Sequence, residues 1–421
     1  MKAFGRLLTA LALVAVIFSE RAEADSEAFE TYGDIMQYVL PLSGFAATYI
    51  TKDKTGRIQF LKQGALTMGT VSILKVTNEK WRPNAGNAQS WPSGHTAGAF
   101  WGASFLDMRY GYKVGIPAYA LAALVGASRV DSQNHFADDT ISGMSIALLS
   151  GWLTVTPFSK DVALQPFANA QGYGMTLTFG GLNLAAPEKP AGWEPRYRFE
   201  WEFGPSWTEE IEVTAPRATG TTFDIADTLT GAEQQITAQV SFYFFLDDRH
   251  EVMLRFFPWE VRDLGISATP IVFNTTTFPA NTLLLTQYRA YDTRVRWRVS
   301  VLDTESRWDL KLGLGFAWQD TKVRLESGTA TDSVADTGMF PLAHLHVAFA
   351  LSPKWKLFLE GDGMALGDEH TVDGAILLRH QINHHWDIGI GYRIWNRRIT
   401  SPALKNSLLM HWGVISLGYT W

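Results

Sequence analysis

The sequence predicts a two-domain α + β protein, an N-terminal helical bundle followed by an antiparallel transmembrane β-barrel of about ten strands. Three observations carry this reading. Apolar residues change from helical spacing to a period of two after Phe158. The period-two segments gather aliphatic and aromatic residues on one face, with charged residues or glycine on the other. The chain ends Ile415-x-Leu417-x-Tyr419-x-Trp421, on an aromatic residue. A length of 421 residues suits two domains better than one.

At the N-terminus, Lys2 and Arg6 precede an apolar run from Leu7 to Phe18, and Ala22-Glu23-Ala24 supplies a small-x-small cleavage pattern. Residues 1–24 are expected to be a secretory signal peptide, with the mature chain starting near Asp25. The apolar run falls short of the roughly 20 residues that a spanning helix needs.

Residues 25–160 form the expected helical domain, with helices over Tyr32–Tyr49, Ile58–Lys75, Ala97–Phe105, Gly115–Ser128 and Ile141–Val155. Polar residues such as Lys62, Gln63 and Thr67 interrupt most of the apolar stretches, as a soluble bundle requires. Ile141–Val155 is the most hydrophobic, yet Ser142, Ser145 and Ser150 punctuate it. It reads as a core helix rather than a membrane span.

Residues 161–195 read as a linker or an extra strand, and 196–421 as an outer-membrane barrel. In Trp308–Phe316 every even position is large and apolar, and every odd one is charged or glycine. The same alternation runs through Tyr197–Phe203, Ile236–Phe242, Val252–Phe256, Val295–Val301 and Trp386–Ile394. A soluble sandwich also alternates, but three features favour a lipid-facing barrel. Trp308, Trp318, Trp355, Trp386 and Trp395 lie near segment ends, where interfacial girdles form. Short connections at Leu246–His250, Asp303–Ser306, Ser352–Pro353 and Asn383–His385 alternate with long ones near 204–235, 263–282, 319–341, 362–371 and 396–410. The aromatic terminus resembles the insertion signal of bacterial outer-membrane barrels. Counting back from Trp421 gives ten strands, near 411–421, 386–395, 372–381, 354–361, 342–351, 307–318, 283–302, 251–262, 236–246 and 196–203. Segment Tyr173–Leu184 is left over, as a linker strand or as part of a hairpin that would make twelve. An even count puts both barrel ends on one side, so the helical domain is expected in the periplasm of a Gram-negative bacterium.

A formal charge of −6 without a long basic stretch argues against a nucleic-acid partner. The absence of cysteine removes thiol catalysis, disulfides and thiolate-held metals. Three motifs lie in order within the helical half: Lys75-x6-Arg82-Pro83, Pro92-Ser93-Gly94-His95, and Ser128-Arg129-x5-His135-x3-Asp139. Together they supply three cations, two histidines and a carboxylate one helical turn past the second histidine. A phosphoryl-transfer transition state spreads negative charge over its oxygens, which a metal-free site must hold with fixed cations. Arg82 and Arg129 can bind bidentately, with Lys75 as a point charge. Ser93 and Gly94 precede the expected helix Thr96–Phe105 and can offer a hydroxyl and N–H groups to a phosphate. His135 can attack phosphorus if Asp139 fixes its ring, leaving His95 to protonate the leaving oxygen and then activate water.

This set resembles the type 2 phosphatidic acid phosphatase superfamily, which also includes bacterial non-specific acid phosphatases and vanadium haloperoxidases. Every motif position matches, over roughly residues 30–155. The resemblance implies that His135 is a nucleophile forming a phosphohistidine, that Asp139 orients it, and that His95 is the general acid/base. It implies that Lys75, Arg82, Ser93, Gly94 and Arg129 bind phosphate, with no metal and no cofactor. Asp138 reads as a surface charge.

The expected activity is hydrolysis of phosphomonoesters or diphosphates on membrane lipids, since the barrel keeps the site beside outer-membrane lipid. The partners expected are thus a phosphorylated lipid or small phosphoester and the surrounding lipids; the sequence is silent on oligomeric state. Alternatives are phosphoryl transfer to another acceptor, vanadate-dependent halide oxidation, or a pore or anchor carrying an acid phosphatase domain. Arg294, Arg296 and Arg298 could line an anion path, or be balanced by acidic residues such as Asp309 and Glu360. His344, His346, His384 and His385 read as lumen or turn residues rather than metal ligands.

Overall fold

A computed structural model describes residues 26–158, 163–169, 172–178, 195–228, 234–302, 306–328 and 330–421. The expected signal peptide, residues 1–24, lies outside the described residues. The chain divides into two compact units, Met1–Trp193 and Glu194–Trp421.

Among the described residues the first unit holds five helices: α1 (Ser26–Ile50), α2 (Lys54–Thr77), α3 (Gly94–Tyr110), α4 (Tyr112–Asp131) and α5 (Ala137–Thr154). Each expected helix is present; the first four extend past both expected ends, and the fifth starts four residues earlier and stops one residue short. Asp53 caps α2 by accepting from Gly56 N at 2.8 Å, and its carboxylate also takes Arg109 Nη2 at 2.7 Å. Small residues allow close packing: Ala99, Ala103, Ala118, Ala122 and Ala147 join Leu40, Phe100 and Val125 in one buried cluster. Ile141–Val155 is a core helix, with Ile141, Ile146, Leu148 and Leu149 buried. Its serines are satisfied within the helix, Ser142 Oγ donating to Asp138 O at 2.7 Å and Ser145 Oγ to Ile141 O at 2.6 Å. Among the described residues no helix is long and apolar enough to cross a membrane.

Strands β1 (Ala163–Asn169) and β2 (Gly172–Thr178) pair only with each other. The described part of the leftover segment, residues 173–178, therefore adds nothing to the barrel, which has ten strands among the described residues and not twelve. They are β3 (Tyr197–Thr214), β5 (Gln234–Phe245), β6 (His250–Ile266), β9 (Leu283–Ser300), β10 (Trp308–Ser327), β11 (Ala330–Ala350), β12 (Trp355–Leu366), β13 (Glu369–Gln381), β14 (Trp386–Thr400) and β15 (Lys405–Thr420). All neighbours are antiparallel, and β15 pairs with β3 to close the ring. At the seam Trp421 O accepts from Tyr197 N at 2.9 Å, so the last residue completes the hydrogen bonding of the first strand. Closure gives every ring strand a hydrogen-bonded partner on both sides, as a strand in hydrocarbon requires. A short strand β4 (Thr222–Asp224), helix α6 (Ile225–Thr228) and the pair β7 (Ile271–Phe273) and β8 (Thr276–Phe278) lie in the two long connections.

The strands run well beyond their expected ends on one side. Residues 319–341 are not a loop: β10 and β11 stay paired from Trp308↔Phe349 to Ser327↔Ala330. Gly328 turns the corner at φ +58°, and Gly367 does the same between β12 and β13 at φ +61°, a conformation that other residues rarely adopt. Residues 362–371 and 396–410 are likewise mostly strand. The cause is a change of phase in the polarity. Up to Trp318 the outward residues are apolar, with Leu312, Leu314 and Phe316 exposed. Past it Asp320, Lys322, Arg324 and Glu326 point outward while Val323 and Leu325 are buried inside. The strand does not change, but its surroundings pass from lipid to water.

The interior has two zones. In the lipid-facing zone Arg294 pairs with Asp362 at 2.8 Å and Asp373 at 2.7 Å, Arg296 with Asp362 at 2.8 Å, and Arg298 with Glu251. Arg393 reaches Glu202, Glu360 and Asp373 at 3.1, 2.9 and 2.7 Å. The arginine row is thus bound in carboxylates. Glu360 takes part, whereas Asp309 lies 3.7 Å from Lys311 and is largely exposed. His344 and His346 are inside, facing Asp362 and Glu360. The upper zone is mostly apolar, with Phe257, Trp259, Phe273, Phe278, Leu408 and Trp412 in one buried cluster, and also holds the buried Arg397, which donates to the Tyr288 hydroxyl at 2.8 Å. Trp395 belongs there too, against Phe257 at 5.3 Å between ring centroids. It is no girdle residue, because its odd position on β14 turns it inward.

This two-zone layout predicts that Leu314→Arg destabilises the barrel in lipid vesicles by about 2–4 kcal/mol. Lys322→Ala, beyond the apolar belt, should change it by less than about 0.5 kcal/mol. Denaturant unfolding followed by tryptophan fluorescence checks both, and equal effects would contradict the placement of the belt.

Candidate active site

The three motifs meet because helix ends converge. Lys75 lies in the last turn of α2, and Arg129 in the last turn of α4. Ser93 is the N-cap of α3, with Gly94 and His95 in its first turn. His135 precedes α5 and Asp139 stands in that helix's first turn. Two carbonyl ends thus gather cations and two amide ends face the same point, which suits an anion.

Asp139 is the hub. It is fully buried, and its Oδ2 accepts from Phe136 N at 2.9 Å and from Ser90 Oγ at 2.5 Å. Its Oδ1 pairs with Lys80 Nζ at 2.9 Å, and its carbonyl takes Ser93 N at 3.0 Å. His135 Nδ1 stands 3.4 Å from Oδ2, leaving Nε2 as the ring nitrogen away from the carboxylate. Burial alone would raise the Asp139 pKa, but Lys80 and the contacts of His135 and Ser90 outweigh it and hold the carboxylate ionised. Burial pulls the His135 pKa down; Asp139 opposes this while Lys75 and Arg82 add to it. Its pKa therefore lies below the usual imidazole value, which favours the neutral ring.

The cations surround this pair. Lys75 Nζ donates to Gln89 O at 2.6 Å, and a Cβ on Gly94 would sit 3.9 Å from Lys75 Cε, so the lysine stem lies against the start of α3. Burial lowers the Lys75 pKa to about 8. Arg82 Nε donates to Asn87 Oδ1 at 3.1 Å and its Nη1 to Asn134 Oδ1 at 3.4 Å. Arg129 is buried, with Nη1 on Asp34 at 2.7 Å, Nε on Ser128 Oγ at 3.2 Å and Nη2 on Glu30 O. Gly33 permits that approach, since a Cβ there would lie 2.4 Å from Arg129 Nη2. Ser93 Oγ accepts from Thr96 N at 3.4 Å, so Ser93 is a helix cap and a site residue at once. His95 Nε2 lies 3.2 Å from Asp34 Oδ1.

Every sequence-predicted site residue is thus in one cluster: Lys75, Arg82, Ser93, Gly94, His95, Arg129, His135 and Asp139. Asp138 needs correcting. It is no surface charge but is buried beside Asp139, 2.7 Å from Lys80 Nζ, with its pKa raised by burial to about 7. Sequence reasoning missed Lys80, whose partners lie 58 and 59 residues away in the chain, and Asp34, which precedes all three motifs. A lysine five residues past Lys75 reads as one more solvated charge, so no local signal marked it.

Comparison with known proteins follows the same line. The sequence pattern of the PAP2 superfamily matches residues 60–162. The chain is 32% identical over 159 residues to a lipid A 4'-phosphatase of Helicobacter pylori, covering 35% of this chain and 78% of that protein. It is 35% identical over 117 residues to a lipid A 1-phosphatase of Porphyromonas gingivalis, covering 27% of this chain and only 25% of that protein. Among solved structures, the outer membrane protease OmpT of Escherichia coli aligns over 54% of this chain and 97% of its own, with 8% identity and a TM-score of 0.39.

The Lys80 bridge predicts a stability effect. Lys80→Met leaves two buried carboxylates without a cation and should destabilise the helical unit by about 3–5 kcal/mol. Adding Asp138→Asn removes one of them and should recover part of the loss. Chemical denaturation followed by helical circular dichroism checks the order, and a Lys80→Met loss below about 1 kcal/mol would contradict it.

Proposed function

We propose that the chain, which belongs to the PAP2 superfamily, is a metal-independent lipid phosphatase acting through a phosphohistidine, anchored in the outer membrane with its catalytic half in the periplasm. The observation that carries the chemistry is the convergence of His135, with Asp139 behind it, on three cations and the N-terminus of α3. In the first step His135 Nε2 attacks phosphorus while the P–O bond to the leaving group breaks and His95 gives that oxygen its proton. In the second, His95 takes a proton from water as the hydroxyl attacks phosphorus and the N–P bond breaks. Lys75, Arg82, Arg129, the Ser93 hydroxyl and the Gly94 amide hold the phosphoryl oxygens, whose charge grows in both transition states. Asp139 keeps the proton of His135 on Nδ1, so that Nε2 carries the free electron pair.

The substrate class rests on address and kinship. The relatives above are named for removing phosphate from lipid A, which makes a phosphorylated glycolipid the first compound to test. The barrel supports a membrane location through its outward apolar belt. Its first and last strands meet at Tyr197 and Trp421, at the end that carries the short turns. Short turns face the periplasm in such barrels, which supports the same side for the catalytic half.

Purified full-length protein in detergent should release phosphate from lipid A or from another phosphorylated lipid, and His135→Ala should lower the rate by roughly 10⁴-fold or more. Undiminished release by His135→Ala would overturn the assignment. The depressed pKa of Lys75, about 8, adds a pH test. The lysine is charged below that value and neutral above it, so competitive inhibition by inorganic phosphate should weaken several-fold from pH 7 to pH 9. Lys75→Arg should keep inhibition flat across that range, and an unchanged decline in that variant would exclude Lys75 as its source.

A further inference from the structure

We propose that Asp34, outside all three motifs, is a positioning residue that holds His95 in place and favours its protonated form. The inference rests on the phosphatase reading above and names a part of the same site. Asp34 Oδ1 stands 3.2 Å from His95 Nε2 and 2.7 Å from Arg129 Nη1, so a single carboxylate oxygen joins the proton donor to a phosphate-binding cation. The contact is built into the fold. Gly33 lets α1 press against Ser128 and Arg129, and Arg129 Nη2 also donates to Glu30 O one turn earlier. Asn134 Nδ2 donates to Glu30 Oε1 at 2.6 Å and ties the same turn to the loop carrying His135.

His95 needs such a partner because nearly everything else around it works against a bound proton. Burial lowers its pKa to about 4, and Arg129 from α4 and His135 from the loop before α5 push the same way. Asp34 from α1 is the facing group that opposes them. A donor with so low an affinity for its proton would serve an alkyl leaving oxygen poorly, since few molecules would carry the proton at neutral pH. The carboxylate raises that population and aims the ring. Asp34 is itself half exposed, so it can yield as a phosphoryl group enters between Arg129 and His95.

A contrast of leaving groups tests this in the full-length protein in detergent. An alkyl phosphate needs its leaving oxygen protonated, whereas p-nitrophenol leaves readily as the anion. Asp34→Asn should lower kcat for the alkyl phosphate about 10- to 100-fold and for p-nitrophenyl phosphate less than about threefold. Asp34→Glu should recover most of the alkyl phosphate rate. Equal losses on both substrates would mean that Asp34 merely supports the fold and would overturn the proposal. A second readout needs no turnover: the pH midpoint for carbethoxylation of His95, followed by peptide mass spectrometry, should fall in Asp34→Asn, and an unmoved midpoint would also overturn it. Failure of the wild type to release phosphate from any substrate would instead sink the phosphatase reading, and the donor role with it.

Discussion

A carboxylate sealed from water organises the catalytic half. Asp139 is fully buried, and an isolated buried charge costs several kcal/mol. It is held by Lys80 Nζ, Ser90 Oγ and Phe136 N, and it stands behind His135. Lys80 and Ser90 come from the connection between α2 and α3, while Phe136 caps the helix that carries Asp139. Satisfying one charge therefore ties that connection to the start of α5. That arrangement aligns the amide ends of two helices with the carbonyl ends of two others. The cluster of cations and helix ends around His135 is a by-product of compensating Asp139.

The barrel solves the same problem on a larger scale. Its lipid-facing zone encloses at least five arginines and as many carboxylates, including Arg255, Arg294, Arg296, Arg298 and Arg393 with Glu202, Glu251, Glu360, Asp362 and Asp373. Carboxylates such as Asp362, Asp373 and Glu360 are each shared by two or more arginines, so the network ties several strands into one arrangement of the interior. Above the belt polar and charged residues take the outward positions and aromatics gather inside, around a buried Arg397 that donates to the Tyr288 hydroxyl. A single closed sheet thus behaves as a membrane protein at one end and as a water-soluble one at the other.

Much of this was legible in the sequence, for identifiable reasons. Helices α1 to α5 follow from apolar spacing, and the eight motif residues follow from the fixed needs of phosphoryl transfer. Strand alternation gave the barrel and its count. The misreadings share a cause, in that single positions carry no information about their surroundings. Asp138 looks solvated beside Asp139 until the fold supplies Lys80. Trp395 looks interfacial until its odd position turns it inward. Residues 319–341 look like a loop because the alternation inverts where lipid gives way to water. Lys80 and Asp34 act at a distance along the chain, through contacts that no local pattern encodes.

The central claim is that His135 carries the phosphoryl group between substrate and water. The most direct measurement is rapid quenching of full-length protein during turnover, followed by peptide mass spectrometry under alkaline conditions that preserve phosphohistidine. The account predicts an acid-labile phosphate on the His135 imidazole that appears before free phosphate and is absent from His135→Ala. Steady turnover with no phosphorylated peptide, or with phosphate on a residue other than His135, would contradict it.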